Sequence, residues 1–299
     1  MFSGMLYIFL PLVIGYLIPI KNETILHQVN AQTSRLVLVI LGLMGLSLAG
    51  LDNLSQNLNQ ILVYTATFFL SISACNLAVL PLIDRLMPLK SQGNKNKLPL
   101  SSMALESVKL IVVVGLGLGI GLTFTMDLSW VDTASELILL LLLFLIGIQL
   151  RNSGMTLKQI LLNKHGMTIA ALVLASSLPG GLIAAFILDI PFNHGLAMAS
   201  GFGWYSLAGI LMGDALGPVY GGAAFLNELL RELIALVLIP VAINRVPSTS
   251  IGYAGATAMD FTLPVIQSTG GIHCVPVAIV SGFILSLAVP FLMLFFVSL

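Results

Sequence analysis

Charge is what this chain has least of. Asp, Glu, Lys and Arg make up 8% of its 299 residues, where a soluble domain carries ~25%. The 12 basic residues balance the 12 acidic ones, which excludes a nucleic-acid-binding surface. Cysteine is equally scarce. Cys75 and Cys274 both fall in apolar segments, so no disulfide framework is expected and both read as small buried hydrophobes. His273 beside Cys274 has no second ligand pair at suitable spacing, so neither a metal nor a cofactor is expected. Met1–Ile20 lacks the basic n-region and small-residue cleavage site of a signal peptide and is expected to remain as a helix. An ATP-binding motif is missing too. The run Gly115-x-Gly117-x-Gly119-x-Gly121 lies inside an apolar span without βαβ context. Small residues four apart in a membrane helix point instead to close helix packing.

What is abundant is apolar surface. Hydrophobic residues make up 58% of the chain and its mean hydropathy is +1.06, values that define a multi-pass protein of the lipid bilayer. Runs long enough to span are Met5–Ile20, Leu36–Leu51, Ile61–Ile83, Val108–Met126, Glu136–Leu150, Met167–Leu188, Tyr220–Ile243 and Val275–Leu299. Two more, Gly195–Leu216 and Ile251–Ile272, are apolar but interrupted by Gly and Pro.

Basic residues set the topology. Lys21 and Arg35 lie in the first loop, Arg85, Lys90, Lys95 and Lys97 in the third, and Arg151, Lys158 and Lys164 in the fifth. The intervening loops carry Asp52, Asp127, Asp132 and Asp189 without Lys or Arg. By the positive-inside rule the odd loops are cytoplasmic. With Arg245 also cytoplasmic, Gly195–Leu216 dips in from outside and returns, and Ile251–Ile272 dips in from the cytoplasm. The expected fold is all-α, with about eight transmembrane helices plus two re-entrant or broken segments of opposite orientation. Ten spans is the competing count. Both termini are then periplasmic. One membrane domain covers 1–299: helices 1–3 and a cytoplasmic loop in 1–100, helices 4–6 in 101–190, and two inverted broken-segment/helix units in 191–299. Discontinuous helices of that kind line the substrate sites of secondary transporters.

Against this apolar background the intramembrane charges stand out. Glu232 lies within Phe225–Pro240 and Asp260 within Ile251–Pro264. An acid at the bilayer centre costs ~2.5–3.5 kcal/mol or more, so each is a functional candidate. Glu228 and Glu232 are four apart on one helix face, and Arg231 is within pairing distance of Glu228. An Arg231–Glu228 ion pair leaves Glu232 to be met by a proton or a cationic substrate. Asp260 has no Lys or Arg within ten residues on either side. Beyond Pro264, Ser268, Thr269, Gly270 and Gly271 supply small polar groups and permissive backbone, and free N–H groups at a helix start there would suit a carboxylate. Trp204 and Tyr205 could set a ring against an ammonium group or anchor the interface. Asp214 and Asp52 complete the candidate lining. A secondary transporter of a small cationic solute follows. A Na⁺ or K⁺/proton antiporter is the alternative, and an intramembrane aspartyl protease using Asp214 and Asp260 competes weakly, since Leu211 breaks its Gly-x-Gly-Asp motif.

Several strings carry a more specific likeness. These are Leu51-Asp52-Asn53-Leu54, Ala104-Leu105-Glu106-Ser107, Gly147-Ile148-Gln149-Leu150-Arg151-Asn152 and Gly154-Met155-Thr156-Leu157-Lys158-Gln159-Ile160. They continue with Ala197-Met198-Ala199-Ser200-Gly201-Phe202-Gly203-Trp204-Tyr205-Ser206, Arg231-Glu232-Leu233-Ile234-Ala235 and Met259-Asp260-Phe261-Thr262-Leu263-Pro264. By these the chain resembles the LysO family of bacterial lysine exporters over nearly its whole length. The resemblance implies export of L-lysine and its analogue thialysine across the bacterial inner membrane by a non-enzymatic carrier. The family's intramembrane acidic pair carries over onto Glu232 and Asp260. Proton antiport through that pair is the mechanism expected, with L-lysine, protons and lipid as partners. The oligomeric state is left open, a homo-oligomer included.

Overall fold

A computed structural model describes residues 10–11, 13–20, 22–49, 54–89, 91, 100–123, 129–152, 163–259, 261–271 and 273–299. No strand occurs among them. The helices are α1 (Glu23–Ala49), α2 (Leu54–Val79), α3 (Pro81–Leu86), α4 (Leu100–Thr123), α5 (Ser129–Arg151), α6 (Lys164–Leu188), α7 (Phe192–Met198), α8 (Tyr205–Leu216), α9 (Pro218–Ala242), α10 (Pro247–Ala254), α11 (Leu263–Gly270) and α12 (Cys274–Val297). Short 3₁₀ turns follow α7 at Ala199–Gly201 and α10 at Gly255–Met259.

By length and composition, Asn57–Leu86, Lys164–Leu188 and Cys274–Val297 can each cross a membrane. Helix α9 is as long as α6, 25 residues, or ~38 Å at 1.5 Å per residue, enough for a ~30 Å hydrocarbon core. Its polar centre, with Glu228, Arg231 and Glu232, is what separates it from the uniformly apolar helices. Large side chains such as Leu70, Phe186, Ile187, Val237 and Val241 point outward and are well exposed, as a lipid-facing belt requires. Helix α1 begins well before the apolar run that announced it. Its first residues, Glu23–Ile25, are exposed, so a polar extension continues a helix that hydropathy alone shortens.

Helix α1 packs on α4 and α5, α2 packs on α6 and α9, and α12 packs on α6. The α1–α4 contact confirms the glycine pattern, in part. A Cβ on Gly117 would sit 2.2 Å from the Gly42 carbonyl oxygen, and one on Gly121 would sit 2.5 Å from the Ala49 Cβ, whereas Gly115 and Gly119 have nothing within 4 Å. Only the 117/121 face makes the close approach. Gly117→Leu should therefore lower the thermal midpoint of the detergent-solubilised protein, by overpacking worth ~1–3 kcal/mol, while Gly119→Leu should leave it unchanged.

The final third repeats one succession of elements: short helix, 3₁₀ turn, break, helix, glycine, long helix. The two glycines adopt matching backbone angles, Gly217 at φ 94, ψ 169 and Gly271 at φ 87, ψ 172. The units are interlocked. Helices α7 and α8 of the first pack on α12 of the second, and α10 and α11 of the second pack on α9 of the first.

A half-buried acid outside the expected set anchors this arrangement. Asp84, in α3, accepts hydrogen bonds from the Ser248 N–H (2.7 Å), the Thr249 N–H (3.0 Å) and the Thr249 hydroxyl (2.6 Å), capping the N-terminus of α10. The His165 imidazole Nε2 is 2.8 Å from the Ser248 hydroxyl. Asp84 follows the apolar run Ile61–Ile83 and precedes Arg85, and nothing local in the sequence marks its capping role.

Candidate functional site

The two breaks meet. The chain turns at Phe202 and Gly203, both at positive φ (46° and 97°), and at Gly255 (67°). The Ala256 N–H donates to the Phe202 carbonyl at 2.8 Å, a backbone bond joining one broken segment directly to the other. Gly255 has no room for a side chain: a Cβ would lie 2.0 Å from the Phe202 oxygen.

Helix α9 runs past this crossing with its polar face turned inward. Glu228, Arg231 and Glu232 are 1%, 3% and 1% exposed, while Leu230, Ile234 and Val237 on the opposite face are open. The helical period thus gathers all three ionisable groups on one buried stripe. Glu228 and Arg231 do not form the ion pair expected from their spacing. One Glu228 oxygen accepts the Gly203 N–H and the other accepts the Asn227 amide (2.8 Å). The Arg231 Nε donates to the Tyr253 carbonyl (2.9 Å) and its Nη2 to the Gly252 carbonyl (3.3 Å). Each charge satisfies backbone groups that a break leaves without helical partners, donors at the first and acceptors at the second. Peptide groups stranded in apolar surroundings outcompete a neighbouring side chain, because they have nowhere else to bond.

Arg231 is held on a third side. Its guanidinium lies 5.7 Å from the centroid of the Tyr253 ring, and the Tyr253 hydroxyl is 3.0 Å from that of Ser73 on α2.

The remaining candidates separate. Trp204 is half-buried against the main core. Tyr205, also half-buried, packs edge-on to Phe225 with ring centroids 6.0 Å apart. The two neighbours therefore serve different packing layers. Asp214 is exposed near the end of α8. Asp52 and Asp260 lie outside the described residues, although both segments flanking Asp260 are held: the Thr262 N–H and hydroxyl both donate to the Thr257 carbonyl at 3.0 Å.

The segment 267–271, where an anion site is expected, joins the end of α11 at Gly270 to the start of α12 at Cys274. Residues 267–270 form the end of α11, not the start of a helix, so they present carbonyls. The Gly271 N–H is taken by the Gln267 carbonyl (3.0 Å) and the Thr269 hydroxyl by the Val265 carbonyl (2.6 Å). The Gly270 carbonyl accepts from Ser91 (3.1 Å), and Gly270 itself abuts Ile243 and Cys274. The negative end of a helix repels a carboxylate. Ser268 lies on this helix, its side chain outside the described set. Cys75 and Cys274 are free thiols, half-buried and buried. No group of three or more His, Cys, Asp and Glu that could hold a metal occurs among the described residues.

An apolar helical chain whose two broken segments cross beside buried acids belongs to the class of α-helical membrane proteins with a polar site inside the bundle. A family model described as lysine exporter LysO matches residues 110–297. A lysine exporter LysO from Escherichia coli (strain K12) is 56% identical over 297 residues, covering 99% of each chain. A Haemophilus influenzae protein described as a candidate lysine exporter is 49% identical over 161 residues, 54% of this chain and 83% of its own. The chain belongs to the LysO lysine exporter family. No solved structure matches it.

Proposed function

We propose that this protein exports L-lysine, and its analogue thialysine, from cytoplasm to periplasm in exchange for protons, with Glu232 and Asp260 as the substrate- and proton-binding acids. The observation that carries this reading is the buried stripe of Glu228, Arg231 and Glu232 beside the crossing of two broken segments. A charged group is tolerated there only if it is paired, protonated or met by a charged solute. Membership of the family points to lysine, the solute in its relatives' names.

The membrane arrangement proposed is eight spans with the two broken segments entering from opposite faces of the bacterial inner membrane, and both termini periplasmic. Alternating basic loops support it, as do the matched succession of the last two units and their exchange of packing partners. Lysine carries a net positive charge, and moving it outward against an inside-negative potential costs ~2.3 kcal/mol per 100 mV. Coupling to inward proton movement supplies that work.

Radiolabelled lysine counterflow in vesicles, with the pH gradient set, tests the reading. Lysine exchange that a pH gradient accelerates is the expected result. Flux of Na⁺ or K⁺ that proceeds without lysine would replace it with cation/proton antiport.

A further inference from the structure

Lysine has a carboxylate as well as two ammonium groups, and residues 267–270, at the end of α11, present carbonyls rather than donors to it. We propose that Arg231 binds the substrate carboxylate through Nη1. This deepens the lysine-export reading above and rests on it.

A guanidinium offers five N–H donors in a planar fork. In Arg231 the Nε and Nη2 edge is committed to the Tyr253 and Gly252 carbonyls. Nη1 is buried and has no hydrogen-bond partner among the described residues. Glu228, three residues before it on the same buried stripe, is occupied by Gly203 and Asn227. A donor on a charged group is seldom left without an acceptor when buried, so Nη1 is where an arriving acceptor is missing. The group is also placed to select one. Two carbonyls fix the guanidinium plane, and the Tyr253 ring lies within cation–π reach. An acid, Glu232, beside a base, Arg231, on the buried stripe of α9 suits a solute bearing both ammonium groups and a carboxylate. Guanidinium–carboxylate pairing is the strong, oriented kind of contact.

The assignment makes carboxylate recognition the basis for rejecting diamines. In lysine counterflow by the wild-type protein, unlabelled lysine should compete, and cadaverine, which is lysine without its carboxylate, should compete about tenfold or more weakly. Arg231→Gln should lower affinity for lysine about tenfold more than affinity for cadaverine, so that the preference collapses even where loss of the bonds to Tyr253 and Gly252 weakens both. The preference is read by thermal stabilisation of the purified protein with each compound, which needs no transport. Arg231→Lys keeps the charge but not the fork, and should restore part of the preference. Cadaverine competing as well as lysine in the wild-type protein would overturn the inference while leaving lysine export standing. An Arg231→Gln protein that still prefers lysine would do the same. Absence of any lysine counterflow by wild-type protein would overturn both.

Discussion

Glu232→Gln should abolish lysine export in cells, and Asp260→Asn should do the same. Each amide keeps the size of its carboxylate and removes its charge and its proton. Losing one member of a buried charge pair costs about 2–5 kcal/mol, a fall of roughly thirtyfold or more in a step that needs it. Cellular lysine content and tolerance of thialysine, read at matched protein abundance in the membrane, measure the effect. Burial separates this outcome from that of a surface acid. Glu232 is 1% exposed on the inward stripe of α9, whereas Asp214 is exposed at the end of α8, and Asp214→Asn should change export little. Variants at 232 or 260 that still lower cellular lysine at normal abundance would remove these acids from the mechanism.

The second large effect concerns backbone. Gly255→Ala should deplete the folded protein from the membrane and with it all transport. Gly255 adopts φ 67 and ψ −134, a region closed to residues with a side chain, at a cost of ~1–3 kcal/mol before any clash. The clash is with the chain itself: the new Cβ would lie 2.0 Å from the Phe202 oxygen, the acceptor of the bond that joins the two broken segments. Relief means pulling the breaks apart. That would strip the Gly203 N–H from Glu228 and the Tyr253 carbonyl from Arg231, leaving polar groups unsatisfied in an apolar interior. Gly119→Ala, on a face with nothing within 4 Å, is the matched control and should be neutral or slightly stabilising. Normal abundance and transport in the Gly255→Ala protein would mean that the crossing is not needed.

Much of this was legible in the sequence. Glycine density marked both broken segments to within a few residues, because a helix cannot be sustained through Gly201-Phe202-Gly203 or past Gly255. Helix periodicity placed Glu228, Arg231 and Glu232 on one face, and that face is buried. Partner choice was not legible. Spacing of three residues favours an Arg231–Glu228 pair in an isolated helix. Here the broken segments bring stranded N–H and carbonyl groups to the same stripe, and those long-range neighbours win. The polarity of the 267–271 segment was not legible for a related reason. Small polar residues mark a helix terminus without saying which terminus, and Pro264 at the second position of α11 shows that the helix starts there and ends at Gly270. Asp84 was illegible because its partners, Ser248 and Thr249, are over 160 residues away.

Glu228 and Arg231 thus move from candidate ligands to the groups that hold the two breaks against α9, with Arg231 keeping one edge for substrate. A single helix then grips both broken segments at once, one through its acid and one through its base. Any tilt of α9 would be felt at both breaks together.

Lysine efflux and proton entry measured together in proteoliposomes test the central claim most directly. With vesicles loaded with lysine, the membrane potential clamped at zero and a pH dye inside, outward lysine movement should acidify the interior. The acidification should vanish with Glu232→Gln and with Asp260→Asn. Lysine leaving at the wild-type rate with no change in internal pH would contradict proton antiport through this site.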